Sequence, residues 1–333
     1  MKKIINDPLV FVDEFVDGIL LAHPTLVKTP GSDKRVLVRA DAPVAGKVGI
    51  VTGGGSGHLP LFKGYVGMGL CDGVAIGNVF SSPSSAQILE ATKAVSGGAG
   101  VLYLYGNYGG DVFNFDLSVD MAELEGIATR TVLGRDDVAS QPKERATDRR
   151  GVAGIFFAFK AAGAAAERGD SLDQVAEIAE DIIEHTATMG VGLSPTVLPT
   201  TGKPSFELAD NEMEIGIGIH GEPGIHRGEL ETANEIADHL MGRLIPDLDL
   251  VAGDQVAVLV NGLGATPLEE LYVLYRRVHE TLAEAGVEIA KNYVGEYATS
   301  LEMAGASISL LKLNQDRLAL LNAPARSPFF SEA

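Results

Sequence analysis

The first 135 residues repeat one rhythm, and it leaves few folds open. Val36 to Val38 and Val48 to Thr52 are short β-branched runs bounded by Gly and Asp; Val101 to Tyr105 and Thr129 to Leu133 have the same form. Apolar runs of this length, punctuated by glycine, predict buried strands. Between them Ser84 to Val95 and Val119 to Glu125 carry apolar residues at helical spacing. Strands alternating with helices predict an α/β fold, here a mostly parallel sheet flanked by helices on both faces.

Two helices are predicted next. Gly151 to Arg168 is rich in Ala and Phe, so it is expected to be buried on several sides. The following helix starts at Ser171 with Gln174 three residues on, a capping box. Its apolar stripe is Leu172, Val175, Ala176, Ala179, Ile182 and Ile183, and Gly190 is expected to end it. Further on, Met213 to Ile219 and Gln255 to Asn261 predict strands and Leu268 to Ala285 a helix; Ser307 to Lys312 and Leu318 to Asn322 predict a late antiparallel pair. At 333 residues the chain exceeds one ordinary core. Two α/β domains are expected. Residues 1–190 would carry the glycine-rich loop and Asp111, and residues 191–333 a mixed sheet and His220. Val191 to Ser205, with three prolines and two glycines, is the candidate linker.

Charge and cysteine usage exclude several classes. With 26 basic against 45 acidic residues the net charge is −19, so a nucleic-acid partner would be repelled. The one basic cluster, Arg145 to Arg150, reads as a solvated loop. The longest apolar stretch, Gly151 to Ala166, is broken by Lys160 and predicts no membrane span. Met1 to Pro8 has no apolar core of a signal peptide. A lone Cys71 allows neither an intramolecular disulfide nor a cysteine zinc cluster, and it reads as a small buried residue. Together these predict a cytoplasmic protein.

Chemistry is expected at the carboxyl ends of strands, where loops are free to vary. Gly53-Gly54-Gly55-Ser56-Gly57-His58 follows the run Val48 to Thr52. Its glycines let backbone N–H groups approach a ligand closely. It is neither a Walker loop nor a dinucleotide fingerprint. The alternative is a tight turn with a surface His58. Gly106-Asn107-Tyr108-Gly109-Gly110-Asp111 follows the run Val101 to Tyr105. Asp111 there suits a general base, but taken alone it is first a helix cap or Asx-turn. His220-Gly221-Glu222-Pro223-Gly224 follows the predicted strand ending at Ile219. A ring held stiffly, with one nitrogen hydrogen-bonded to set the tautomer, can act as a nucleophile towards a carbonyl carbon. The alternative is a satisfied core histidine. No metal-ligand spacing links these residues. Asn261 to Pro267 reads as structural, with Thr266 as a helix cap.

With these loops in view, the sequence resembles the DhaK family of dihydroxyacetone kinase subunits along almost its whole length. The resemblance is carried by Arg39-Ala40-Asp41-Ala42-Pro43, by the loop Gly53 to His58 and by Asn107-Tyr108 through Asp111 to Asn114-Phe115. It continues through Arg149-Arg150-Gly151, Gly202 to Phe206, Ala209 to Glu214, Gly218 to Gly224 and Asn261 to Pro267.

The resemblance implies two α/β domains and a homodimer. It implies that His220 adds to a ketose carbonyl as a covalent hemiaminal, that Asp111 and His58 are the acid/base pair at the phosphorylated hydroxyl, and that the backbone from Gly55 through Ser56 and Gly57 contacts the sugar. It implies no cofactor in this chain: ATP or ADP with Mg would sit on a separate nucleotide-binding, DhaL-like subunit. Two positions depart from the family pattern. Gly106 stands where a ketose-binding lysine is usual, and Leu59 where the loop histidine is usually followed by Glu. A larger pocket is expected, suited to a four-carbon ketose such as erythrulose. The rival reading is a ketose-sensing transcriptional co-regulator without kinase activity; a fatty-acid-binding protein of related fold ranks last.

Overall fold

The computed structural model describes residues 2–333, which form two compact α/β units. The first unit comprises residues 2–134, 157–181 and 319–333; the second comprises 135–156 and 182–318. The boundary expected near residue 190 is therefore corrected: the chain passes between the units at four places rather than one. The reason is visible in the pairing. Residues 186–194 form a strand inside the second sheet, so the segment taken as the start of a linker is sheet interior.

The first unit holds strands β1 (Val27–Lys28), β2 (Val36–Arg39), β3 (Gly49–Ser56), β4 (Gly73–Val79), β5 (Val101–Gly106) and β6 (Thr129–Gly134). Their order is β1-β2-β4-β3-β5-β6, and β4, β3, β5 and β6 run parallel. Helices α1 (Phe11–Ala22), α2 (Ser85–Val95) and α3 (Gly109–Leu124) belong to it. Ser84 and Gln87 cap α2 reciprocally. Valines of β2 and β3, Ile88 and Ala91 of α2, and Tyr103, Tyr105 and Phe115 share one core. The parallel sheet is as predicted; β4 and α1 were not foreseen. Cys71 is fully buried, as expected.

Helices α4 (Ile155–Arg168) and α5 (Leu172–Glu184) follow. From Phe157 to Asp181 they belong to the first unit. The capping box at Ser171 and Gln174 is present. Gly190 does not end α5, which stops at Glu184.

The second unit contains β7 (Thr186–Ser194), β8 (Glu212–Ile215), β9 (His226–Glu229), β10 (Gln255–Gly262), β11 (Glu288–Gly295) and β12 (Ala304–Leu313), ordered β11-β10-β12-β7-β8-β9. Only β10 and β11 are parallel, so the sheet is mixed as predicted. Helices α6 (Ala233–Asp247) and α7 (Leu268–Glu284) pack Ile236, Leu240, Leu244, Leu271, Leu274 and Val278 into its core. Leu318 to Asn322 is not a strand but the end of helix α8 (Gln315–Asn322); β12 pairs instead with β10 and β7. Asn261 donates to Ala298 O and Ser307 Oγ and accepts from the N–H groups of Tyr297 and Ala298, an anchoring role. Thr266 does not cap α7: its hydroxyl bonds both backbone groups of Gly305.

Candidate functional site

In the first unit the glycine run is strand before it is loop. β3 continues past Thr52, placing Gly53 opposite Ala75, Gly54 opposite Ile76 and Ser56 opposite Val79. Glycine is required there by what lies across it. A Cβ on Gly54 would stand 2.4 Å from the Phe62 ring, and one on Gly55 2.7 Å from Ser81 N. Ser56 is fully buried and its hydroxyl donates to Gly77 O at 2.8 Å, so that hydroxyl serves the sheet. The turn proper is made by Gly57, at φ +107°.

His58 is not on the surface; it is 2% exposed. Its ring stacks on Phe80, with centroids 5.0 Å and planes 13° apart, and meets Phe62 edge-on at 6.3 Å. Both phenylalanines have positive φ, 67° for Phe62 and 55° for Phe80. Such a backbone costs a non-glycine residue roughly 1–3 kcal/mol, which the surrounding packing must offset. The two rings wall in the imidazole and limit its rotation.

Asp111 is not a helix N-cap. Tyr108 holds that position without a side-chain cap, and Asp111 lies inside the first turn of α3, buried. A carboxylate there is favoured by the helix dipole. One turn on, Asn114 donates to Ser82 Oγ at 3.2 Å. The segment from Phe80 to Ser82 thus touches both the His58 ring and α3. Because β3 and β5 are adjacent and parallel, His58 and Asp111 emerge at the same end of one sheet. Gly106 is the buried last residue of β5, paired with Gly134.

His220 stands in the second unit. The strand expected to run to Ile219 ends at Ile215, because Gly216 turns the chain at φ +79°. Residues 216–225 form a closed loop: Ile225 N donates to Ile215 O at 2.8 Å across its neck, and Gly218 N to Glu222 O at 3.0 Å within it. His220 Nδ1 lies 2.8 Å from Glu222 Oε1, and His220 N donates to Glu222 Oε2 at 2.9 Å. Burial pushes the Glu222 carboxyl up, but the hydrogen bond from His220, the charge of that ring and the Arg150 guanidinium hold it down at about 2. An ionised Glu222 can only accept, so Nδ1 carries the proton, and in the neutral ring the lone pair is on Nε2.

Two arginines also belong here. The segment Arg145 to Arg150, expected to be a solvated loop, is so only at its start. Arg149 is 4% exposed and makes a two-pronged pair with Asp247 at 2.8 and 2.6 Å. Arg150 pairs with buried Asp137 and approaches Glu222. Sequence reasoning misses Glu222 as the partner of His220, since a contact two residues apart through a turn leaves no periodic signal, and misses Arg150 beside Glu222, since that contact joins distant parts of the chain. Among the described residues no group of three or more His, Cys, Asp or Glu side chains is placed to hold a metal ion, and no helix is long and apolar enough to cross a membrane.

Polar side chains at the strand ends of the first unit and, separately, in a closed loop of the second stand where α/β proteins commonly bind small molecules. The Dak1 domain matches residues 17–329, and the chain belongs to the Dak1 family. It is 47% identical over 330 residues to "PTS-dependent dihydroxyacetone kinase 2, dihydroxyacetone-binding subunit DhaK" of Listeria innocua, covering 99% of each chain. It is 40% identical over 335 residues to "L-erythrulose kinase" of Pectobacterium atrosepticum, covering 99% of this chain and 56% of that protein. Among solved structures it is similar to a "Dihydroxyacetone kinase operon co-activator", with a TM-score of 0.88, 34% identity, and 96% and 98% of the two chains covered.

Proposed function

We propose that this chain is the ketose-binding subunit of a dihydroxyacetone-type kinase, holding a short-chain ketose covalently on His220. The observation that carries the reading is the Glu222 carboxylate on His220 Nδ1. The Nε2 lone pair attacks the carbonyl carbon; the C=O π bond opens and its oxygen takes a proton, while the ring gives up its Nδ1 proton. The product is a neutral hemiaminal. Glycerol, with hydroxyls alone, has no carbon to attack. Fixing the ketose orients its terminal hydroxyl and lowers the entropic cost of attack on phosphorus. Asp111, with His58, takes that hydroxyl's proton as general base, and the backbone of Gly55 to Gly57 with Gly106 borders the sugar. A separate DhaL-like subunit, which carries ATP or ADP with Mg, delivers the phosphoryl group, and two copies of this chain pair as a homodimer.

The preferred ketose is a four-carbon sugar of the erythrulose type, since Gly106 and Leu59 replace longer polar side chains of the family pattern; similarity to a named L-erythrulose kinase supports this. Similarity to a named co-activator favours a second reading, a ketose-sensing co-regulator. Against it stand both Asp111 and His58, which a sensor does not need.

The test is carbon-13 NMR with ketose labelled at the carbonyl, beside a kinase assay with the nucleotide-binding subunit. Wild type is expected to convert the carbonyl signal to that of a tetrahedral carbon, and His220→Ala to leave it unchanged. Asp111→Asn is expected to keep the adduct and lose about a hundredfold in turnover. A fully active Asp111→Asn leaves that carboxylate a structural role, and a strong preference for dihydroxyacetone refutes the four-carbon assignment.

A further inference from the structure

We infer that Arg150 is a positioning residue for the His220 nucleophile, acting through Glu222 and anchored by buried Asp137; the inference rests on the covalent-binding reading above. The guanidinium lies between two carboxylates. Its Nε and Nη2 donate to Asp137 Oδ2 at 2.9 and 2.8 Å, and its Nη1 reaches Glu222 Oε2 at 3.8 Å. That oxygen accepts the His220 backbone N–H, while the other oxygen of Glu222 holds the ring. The cation therefore acts on the group that fixes both the backbone and the imidazole of His220.

The local chain is shaped for this approach. Gly218 lies against the contact: a Cβ there would stand 2.2 Å from Glu222 Oε2 and 2.5 Å from Arg150 Nη1. Arg150 N donates to Ser140 Oγ at 3.1 Å, and Arg150 O accepts from Asp137 N at 3.0 Å, so its backbone is bound to the turn that presents Asp137. Asp137 Oδ1 accepts from Ala139 N at 3.1 Å. Asp137, Gly218 and Ile219 also line a cavity of about 20 Å³ with Thr188, Asn261 and Ser307. That is room for about one water, so little space is left behind the loop.

The charges facing these groups are few. His220 and Arg150 face Glu222; Arg150 and Asp136 face Asp137. Addition of Nε2 to a carbonyl drives positive charge into the ring, and an ionised, immobile Glu222 stabilises it. Arg150, 3.8 Å from Glu222 Oε2, adds its charge to the pull of His220 that keeps Glu222 ionised. A guanidinium can bridge two carboxylates with a fixed fork, which a lysine cannot. Burial pushes the Asp137 carboxyl up to about 6, against the pull of Arg150, so its ionisation depends on that cation.

The experiment measures adduct formation by the whole chain with carbonyl-labelled dihydroxyacetone across pH, beside thermal melting. Arg150→Met is expected to weaken the adduct about three- to tenfold, the range for a partly exposed charge pair. Its pH midpoint for adduct formation should also move, and Arg150→Lys should recover part of both. Asp137→Asn, which keeps the shape and loosens the anchor, should show the same change in smaller degree and serves if Arg150→Met does not fold. A wild-type adduct constant and midpoint in the folded variants overturns the inference, whatever their melting temperatures, because a purely structural role moves only the melting. Absence of an adduct in wild type sinks the covalent reading itself.

Discussion

Lys63 follows Phe62 in a short 3₁₀ turn, 2% exposed, with Nζ 5.3 Å from the centroid of the Phe15 ring. Burial pushes its pKa from 10.5 down to about 7. Between those values the unfolded chain binds one proton more than the folded one, so this residue makes stability rise with pH across that window and costs most below it. Lys63→Met is expected to stabilise the protein by about 2–4 kcal/mol near neutral pH, after loss of the cation–π contact is set against it. Urea unfolding at pH 7 and pH 10 checks this: the gain should shrink at the higher pH, and an equal gain at both would contradict it. At this scale the sequence reveals chemistry by residue type and neighbours. It marked His58, Asp111 and His220 because glycines surround them. Nothing in the string says that His58 lies between two phenylalanines, since Phe80 arrives from another strand.

At the scale of elements, the same substitution should have opposite signs in two helices. Gly163 in α4 abuts backbone: a Cβ would stand 2.3 Å from Gly69 C and 2.4 Å from Leu70 N. Gly242 in α6 has nothing within 4 Å of such an atom. Gly242→Ala is expected to stabilise by about 0.5–1 kcal/mol through helix propensity alone. Gly163→Ala should lose about 1–3 kcal/mol by overpacking, exceeding that gain. Thermal melting of both variants tests it, and a stabilised Gly163→Ala would show that the backbone at 69–70 yields. Periodicity makes elements legible where burial follows a regular face, as in α2, α5, α7 and the central strands. It fails where a glycine belongs to a strand for packing reasons. Gly53 to Gly55 and Gly190 were read as loop or helix stop, yet each sits in a sheet with its Cβ position occupied or its pairing complete. Leu318 to Asn322 is too short for its pattern to separate helix from strand.

At the scale of the whole molecule, the discontinuous first unit is the feature least legible in sequence, because its contacts join residues some 160 to 260 apart, a separation without local signature. Residues 319–333 return to it. Arg326 N donates to Met68 O at 2.8 Å, and Cβ atoms on Gly67 and Gly69 would strike Arg326 O at 2.0 Å and Pro324 O at 2.3 Å. Lys160, fully buried in α4, donates to the carbonyls of Leu320 and Ala323. These contacts cover the segment that follows His58 and Leu59, so the ordering of that loop depends on the far end of the chain. Deleting residues 323–333 removes the backbone lying on 67–69 and one acceptor of a buried ammonium, which then costs on the order of 1–3 kcal/mol or more. Hydrogen exchange of residues 64–71 is expected to accelerate about tenfold or more, the consequence of a local opening cheaper by over 1 kcal/mol, while β10 and β12 keep their protection. Turnover should fall with it, because the wall behind His58 loosens. Unchanged exchange at 64–71 would mean that this segment is held by its own turn, and that the returning chain only covers it.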